Sequence, residues 1–219
     1  MLIYIILVLS LLLFPALYFL GMRISRQSFE KEENKLKKPI SSVWEIIVFC
    51  SAELLTAKLW FRFIYETDDK LLFSMLFLAL SLTAVVCVTD LRENLVSNKL
   101  LLLYLSLFVI ITGIFFLRDI DAATEFLKSA AVGFVFCLLC FGVVYLVTRG
   151  GLGAGDVKLV ILLGYAMTER YIVKALLLGC LISAVYSIYM LIRKKLTRHS
   201  AYPFVPFIYA GVALSIILS

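Results

Sequence analysis

Apolar residues in this chain form long runs parted by short charged clusters. They show neither the alternation of a half-buried strand nor the single stripe of a surface helix. The runs cover 1–22, 41–65, 71–89, 100–117, 126–148, 157–168, 171–192 and 203–218. An α-helix needs roughly 20 mostly apolar residues to cross a bilayer. The pattern therefore predicts an all-α fold, a polytopic integral-membrane helical bundle of about eight transmembrane segments. The run 157–168 stands apart, because its twelve residues rise only about 18 Å as a helix against a hydrocarbon core of roughly 30 Å. Gly164 sits in its middle. A short or broken span is tolerated only where protein packs around it or where it lines a water-filled cavity, so its neighbourhood is the first place to look for chemistry.

Composition narrows the class. Of 219 residues, 63% are hydrophobic and 16% charged, and the mean hydropathy is +1.04. An ordinary soluble domain has about half apolar and a quarter charged residues, and a disordered chain has low hydrophobicity and high charge. Both are excluded, and no room is left for a large soluble domain. A cleaved signal peptide normally opens with a basic stretch. Nothing basic precedes the first run, so 1–22 reads as a retained first transmembrane segment. A short basic loop, 23–40, follows, and 41–219 forms the membrane-embedded core.

The net charge of +6 does not imply a nucleic-acid partner, because the charges lie between apolar runs rather than on one basic face. Their distribution orients the chain instead. With the N-terminus outside, the inner segments 23–39, 90–99, 149–158 and 193–200 hold fourteen Lys and Arg. The outer segments hold five, together with seven acids. Both termini are therefore expected outside and the basic loops in the cytoplasm. Arg193, Lys194, Lys195 and Arg198 read first as a topology anchor and second as a contact for anionic membrane lipid. Cys50, Cys87, Cys137, Cys140 and Cys180 all lie inside apolar runs and read as small buried hydrophobes rather than a disulfide framework. Cys137 and Cys140 have a metal-site spacing, but a structural zinc site needs four ligands and the single histidine, His199, is far along the chain. No metal site is expected.

Two aspartates stand at cytoplasmic ends of segments. Asp90 closes the third, and Asp156 opens the short one. Both then lie at one membrane depth, where two carboxylates could share a proton and activate a water, since like charges held close cannot both ionise. Asp156 could equally be an N-cap, satisfying orphan N–H groups. Asp90 fits such a role less well, because the dipole disfavours an anion at a helix end, unless a short interfacial helix 91–99 begins there. Gly150, Gly151, Gly153 and Gly155 crowd the six residues before Asp156. Lacking Cβ atoms, they let backbone lie close to another backbone, as when an extended peptide is held for cleavage. A phosphate-cradling loop would need Lys and Ser or Thr after the last glycine, where Asp156 stands. Glu45 and Glu53 should face protein or a water cavity, since acids are expensive in lipid. Lys58 and Arg62 should snorkel to the outer surface. Lys158 could hold the aspartate charge, position substrate, or follow the positive-inside trend.

Gly153-Ala154-Gly155-Asp156 is the GxGD motif of intramembrane aspartyl proteases, and with Val157-Lys158-Leu159 it resembles the type IV prepilin peptidases. Asp90 and Asn98 keep that family's spacing between its other aspartate and an asparagine, with Val96 and Ser97 in place of Ile-Pro. Pro203-Phe204-Val205-Pro206-Phe207 is similar to its Pro-Phe-Gly-Pro-Phe segment, and Glu53-Leu54-Leu55-Thr56-Ala57 to its Glu-Leu-Leu-Thr-Gly segment. The resemblance implies that 41–219 is a peptidase core with Asp90 and Asp156 catalytic. It implies substrate positioning by Gly151, Gly153, Gly155, Lys158, Asn98, Pro203 and Pro206, and a structural polar role for Glu53. It further implies a multi-pass protein of the bacterial inner or plasma membrane, its catalytic face cytoplasmic, that removes the leader peptide of prepilin or pseudopilin precursors. Bifunctional relatives carry a zinc-binding loop with paired Cys-x-x-Cys motifs and methylate the new N-terminus. Residues 23–39 contain neither Cys nor His. No cofactor is therefore expected; S-adenosylmethionine enters only with a retained methyltransferase activity.

A transporter could use the same aspartates as a proton relay beside a broken span. Inverted-repeat transporters carry such segments in both halves, and only one is found here.

Overall fold

The computed structural model describes residues 2–29, 42–65, 70–148, 152–193 and 203–218. Among them are seven helices: α1 (Leu2–Phe29), α2 (Ser42–Tyr65), α3 (Lys70–Glu93), α4 (Asn98–Arg118), α5 (Ile120–Val147), α6 (Ala154–Ile192) and α7 (Val205–Ile217). Four of these, α3, α4, α5 and α6, are long and apolar enough to cross a membrane; α7 and the stretch Leu12–Ser25 of α1 are shorter apolar helices.

The helix α6 spans two of the predicted segments. It runs unbroken through Gly164 and breaks at Thr168, whose φ of 57° and ψ of 174° are not helical. Around Thr168 the chain reverses. Gly155 packs on Val96 between α3 and α4. Beyond the break, Ala175 meets Gly211 and Gly179 meets Phe207, so the second limb runs antiparallel to α7. The start of α7 touches Asp90 through Val205. Both ends of α6 thus lie at the Asp90 end of the bundle, and the seven helices make eight segments. The first limb, 154–167, is about 21 Å long, short for a span, as the sequence predicts.

Helix ends differ from the hydropathy boundaries. The helix α1 continues past Arg23 to Phe29, into the predicted loop 23–40, because hydropathy marks where a span leaves lipid rather than where helical hydrogen bonding stops. Residues 30–40, the rest of that loop, lie outside the described residues. No interfacial helix 91–99 forms. The helix α3 carries Asp90 in its last turns and ends at Glu93; Asn94 follows at φ 50°, a left-handed capping conformation that asparagine tolerates.

The helix α3 is the axis of the bundle, buried from Leu71 to Asp90 except at Ser74. A helix that is apolar all round suits such a place. By contrast α4, α5 and the second limb of α6 expose large side chains such as Leu102, Val109, Leu139, Leu177 and Ile188, as helices facing lipid do. Where lipid is as apolar as leucine, close packing and hydrogen bonds hold helices together. A Cβ on Gly133 would stand 2.4 Å from the Gly164 carbonyl, and one on Gly211 2.1 Å from that of Ala175, so small residues set both crossings. Hydroxyl pairs join other helices: Ser81 with Tyr104 at 3.1 Å, Thr112 with Tyr165 at 2.9 Å, and Ser51 with Tyr209 at 2.7 Å. Pairs of this kind contribute about 0.6–2 kcal/mol each.

Candidate active site

Three helix ends converge at one end of the bundle. The helix α3 brings Asp90, which is 4% exposed. The first turn of α6 brings Asp156, half-buried at the third helical position after its N-cap, Gly153. Asp156 is therefore not the N-cap. It sits where an acid faces the positive end of the helix dipole. The two carboxylates lie within electrostatic reach of each other.

The helix α7 supplies the third end. Its first N–H, on Val205, donates to Asp90 Oδ2 at 3.1 Å. That N–H has no intrahelical acceptor, being at a helix start, so the junction of α3 and α7 satisfies both groups. The segment before it fixes this geometry. Pro203 lies just ahead of the N-cap Phe204, and Pro206 occupies the first turn of α7, where its missing N–H costs nothing. Phe204 packs on Phe141 of α5, with ring centroids 6.3 Å apart.

The glycines before Asp156 differ in their surroundings. A Cβ on Gly155 would stand 2.8 Å from the Val96 Cβ, so this glycine lets the α6 start press against the loop that follows Asp90. A Cβ on Gly153 would meet only the Asp156 side chain, at 3.1 Å from Oδ2. Gly150 and Gly151 lie outside the described residues. Lys158, two residues past Asp156, donates to Asn98 Oδ1 at 3.1 Å. That bond ties α6 to the start of α4, and it joins two residues that the sequence offered separately.

Other polar groups flank the site. Arg92, two residues past Asp90, pairs with Glu45 at the start of α2. Glu53 lies farther along α2, its Oε2 buried and without a hydrogen-bond partner among the described residues. It does not join the aspartate pair in any described contact. Lys58 does not snorkel: its Nζ donates to the carbonyls of Ile216 at 2.9 Å and Ile217 at 2.6 Å, closing the C-terminus of α7. Arg62 lies over the Phe73 ring at 5.7 Å. Sequence reading missed the Glu45–Arg92 pair, although their positions at a helix start and a helix end were a signal for it. Cys137 is buried against Gly164 and Cys140 is exposed. No group of three His, Cys, Asp or Glu gathers among the described residues.

The arrangement brings one deeply buried and one half-buried carboxylate within electrostatic reach of each other at one end of an apolar bundle. Such a pair can take a proton from water and deliver one to a leaving group.

Comparison with known proteins agrees with that chemistry. Over 136 residues the chain is 29% identical to a Bacillus subtilis (strain 168) protein described as prepilin leader peptidase/N-methyltransferase. The match covers 62% of this chain and 52% of the relative, so the chain spans about half the relative's length. No solved structure matches the chain. Residues 75–188, more than half of the chain and including Asp90 and Asp156, match the model of the type IV leader peptidase family, and the chain belongs to that family.

Proposed function

We propose that this protein is a membrane aspartyl endopeptidase that cleaves the leader peptide of type IV prepilin-like precursors, pilins or pseudopilins, at the cytoplasmic face of the bacterial inner or plasma membrane. The observation that carries the reading is the convergence of Asp90 and Asp156, 66 positions apart in sequence and on different helices, within a chain of the leader peptidase family. One carboxylate, ionised, takes a proton from water as the water oxygen attacks the scissile carbonyl carbon. The other, protonated, gives its proton to the carbonyl oxygen. Collapse of the tetrahedral intermediate breaks the C–N bond: the first carboxyl gives its proton to the leaving amine, while the second, now ionised, takes a proton from one hydroxyl of the intermediate as its C=O forms, which restores both groups. The Val205 N–H steadies Asp90 through this cycle. The glycine-rich stretch before Asp156 leaves room for an extended leader, and the Asn98–Lys158 bond offers polar groups to position it.

Two carboxylates supply both acid and base, so the reaction needs no metal or cofactor. Methylation of the product, which would require S-adenosylmethionine, is not part of this reading. The test is incubation of the purified protein with a candidate prepilin in detergent, with and without chelator, followed by intact-mass analysis. The expected product is the precursor shortened by its leader, unmethylated and unaffected by chelator. An intact precursor would overturn the assignment. A product gaining one methyl group would restore the second activity.

A further inference from the structure

At the opposite end of the bundle, over the break in α6, lies a second polar site that the proteolytic reading does not use. A cavity of about 640 Å³ opens between the start of α3, the end of α4, the start of α5 and the turn of α6. Four cations line it: Lys70, Arg118, Lys128 and Arg170. Three acids line it as well, but two are engaged. Asp119 accepts from the Ala122 N–H at 3.0 Å as the N-cap of α5, and Glu169 accepts from the Ser129 hydroxyl. Among the described residues none of the four cations joins an ion pair or hydrogen bond. The four positive charges thus outnumber the three carboxylates of the lining, and none of them is committed to a partner among the described residues.

Thr168 is the second observation. It lines this cavity, holds a left-handed φ of 57° and is 2% exposed. Its hydroxyl has no hydrogen-bond partner among the described residues. A buried polar group without a partner loses the hydrogen bonds it makes in water. A β-branched residue at positive φ adds backbone strain. The second limb of α6 also begins here, directing the positive end of its dipole at the same space. Unpaired cations, a free hydroxyl and a helix start together form the chemistry that recognises phosphate.

We propose that this cavity binds a phosphate-bearing ligand. Its volume exceeds what a bare phosphate fills, and Leu71, Leu72, Phe115, Phe126 and Val132 also line it. That combination suits a phospholipid headgroup with its first acyl carbons, although free phosphate offers the same recognition chemistry.

The full chain, purified in uncharged detergent and washed until its phosphorus content is constant, is titrated calorimetrically with sodium phosphate and, separately, with monomeric dihexanoyl phosphatidylglycerol. Saturable binding of the lipid alone identifies a headgroup site, and binding of both shows that the anion suffices. Either affinity is expected to fall at least tenfold in Arg118→Gln/Lys128→Gln, whose altered side chains are exposed and leave the core intact, and in Thr168→Val, which keeps the branched shape. Should washed protein retain phosphorus, the Arg118→Gln/Lys128→Gln protein is expected to retain less. Absence of both saturable binding and retained phosphorus, or binding and retention unchanged in that double variant, would overturn the proposal.

Discussion

Asp90 occupies a position that helix electrostatics alone make unfavourable, an anion in the last turns of α3. The structure compensates with the start of a different helix, α7, whose Val205 N–H reaches Oδ2. This explains why an acid persists where a simple capping role fails, and the sequence could not show it, since the two residues are 115 positions apart. Asp90→Asn keeps an oxygen that can accept the Val205 N–H, so the variant is expected to express and fold. Cleavage should nonetheless disappear, because an amide cannot cycle a proton. Asp156→Asn should behave alike. Intact-mass assay of both variants checks this, and substantial turnover in either would remove the dyad from the mechanism. The motif residues themselves were legible because their types are chemically scarce in an apolar chain. Their partners were not: the acceptor of Lys158 and the capping task of Lys58 depend on which helix ends meet.

The start of α6 and the loop after α3 meet through a single missing Cβ. At the element scale this gives Gly155 a definite role: its small size sets the distance between the helix bearing Asp156 and the loop leading away from Asp90. Gly155→Ala should lower cleavage by orders of magnitude while the protein still folds, since small displacements of reacting groups cost large rate factors. The cause is then contact with Val96, so Gly155→Ala/Val96→Ala should recover much of the lost rate. A single variant with normal turnover, or a double variant no better than the single, would refute this steric account. The crossing of α5 and α6 makes a parallel case without chemistry. A Cβ on Gly164 would stand 2.6 Å from the Gly133 carbonyl and 2.8 Å from Cys137 Sγ. Overpacking of this kind typically costs about 1–3 kcal/mol, so Gly164→Ala should lower the thermal midpoint in detergent. Cys137→Ala should restore only part of it, because the backbone contact remains. The short first limb of α6 was legible from the length of its run. Its end was legible too, since the run stops at 168, where the helix breaks; the close approach of Gly133 on α5 to that break was not.

At the scale of the whole molecule, alternation of helix direction gathers the aspartates and the groups that position them on one side. The end of α3, the starts of α2, α4 and α7 and both ends of α6 lie at the Asp90 end, while the Thr168 turn and the carbonyls capped by Lys58 lie at the other. Eight segments were legible because charged or polar clusters part each apolar run from the next. The central place of α3 was not, since its composition resembles that of α4 and α5, which face outward. The proposed cytoplasmic orientation of the aspartate end rests on charge: the segments flanking that end carry most of the Lys and Arg, and such segments tend to be retained inside. Single cysteines introduced into a cysteine-free background and probed with a membrane-impermeant thiol reagent check this directly. Positions 30–38 and 194–199 should react only after the membrane is opened, and positions 67–69 and 119–122 should react in intact cells. Reaction of position 34 from outside would invert the bundle. Asp90 and Asp156 would then face away from a precursor still in the cytoplasm, and leader removal would have to follow export rather than precede it.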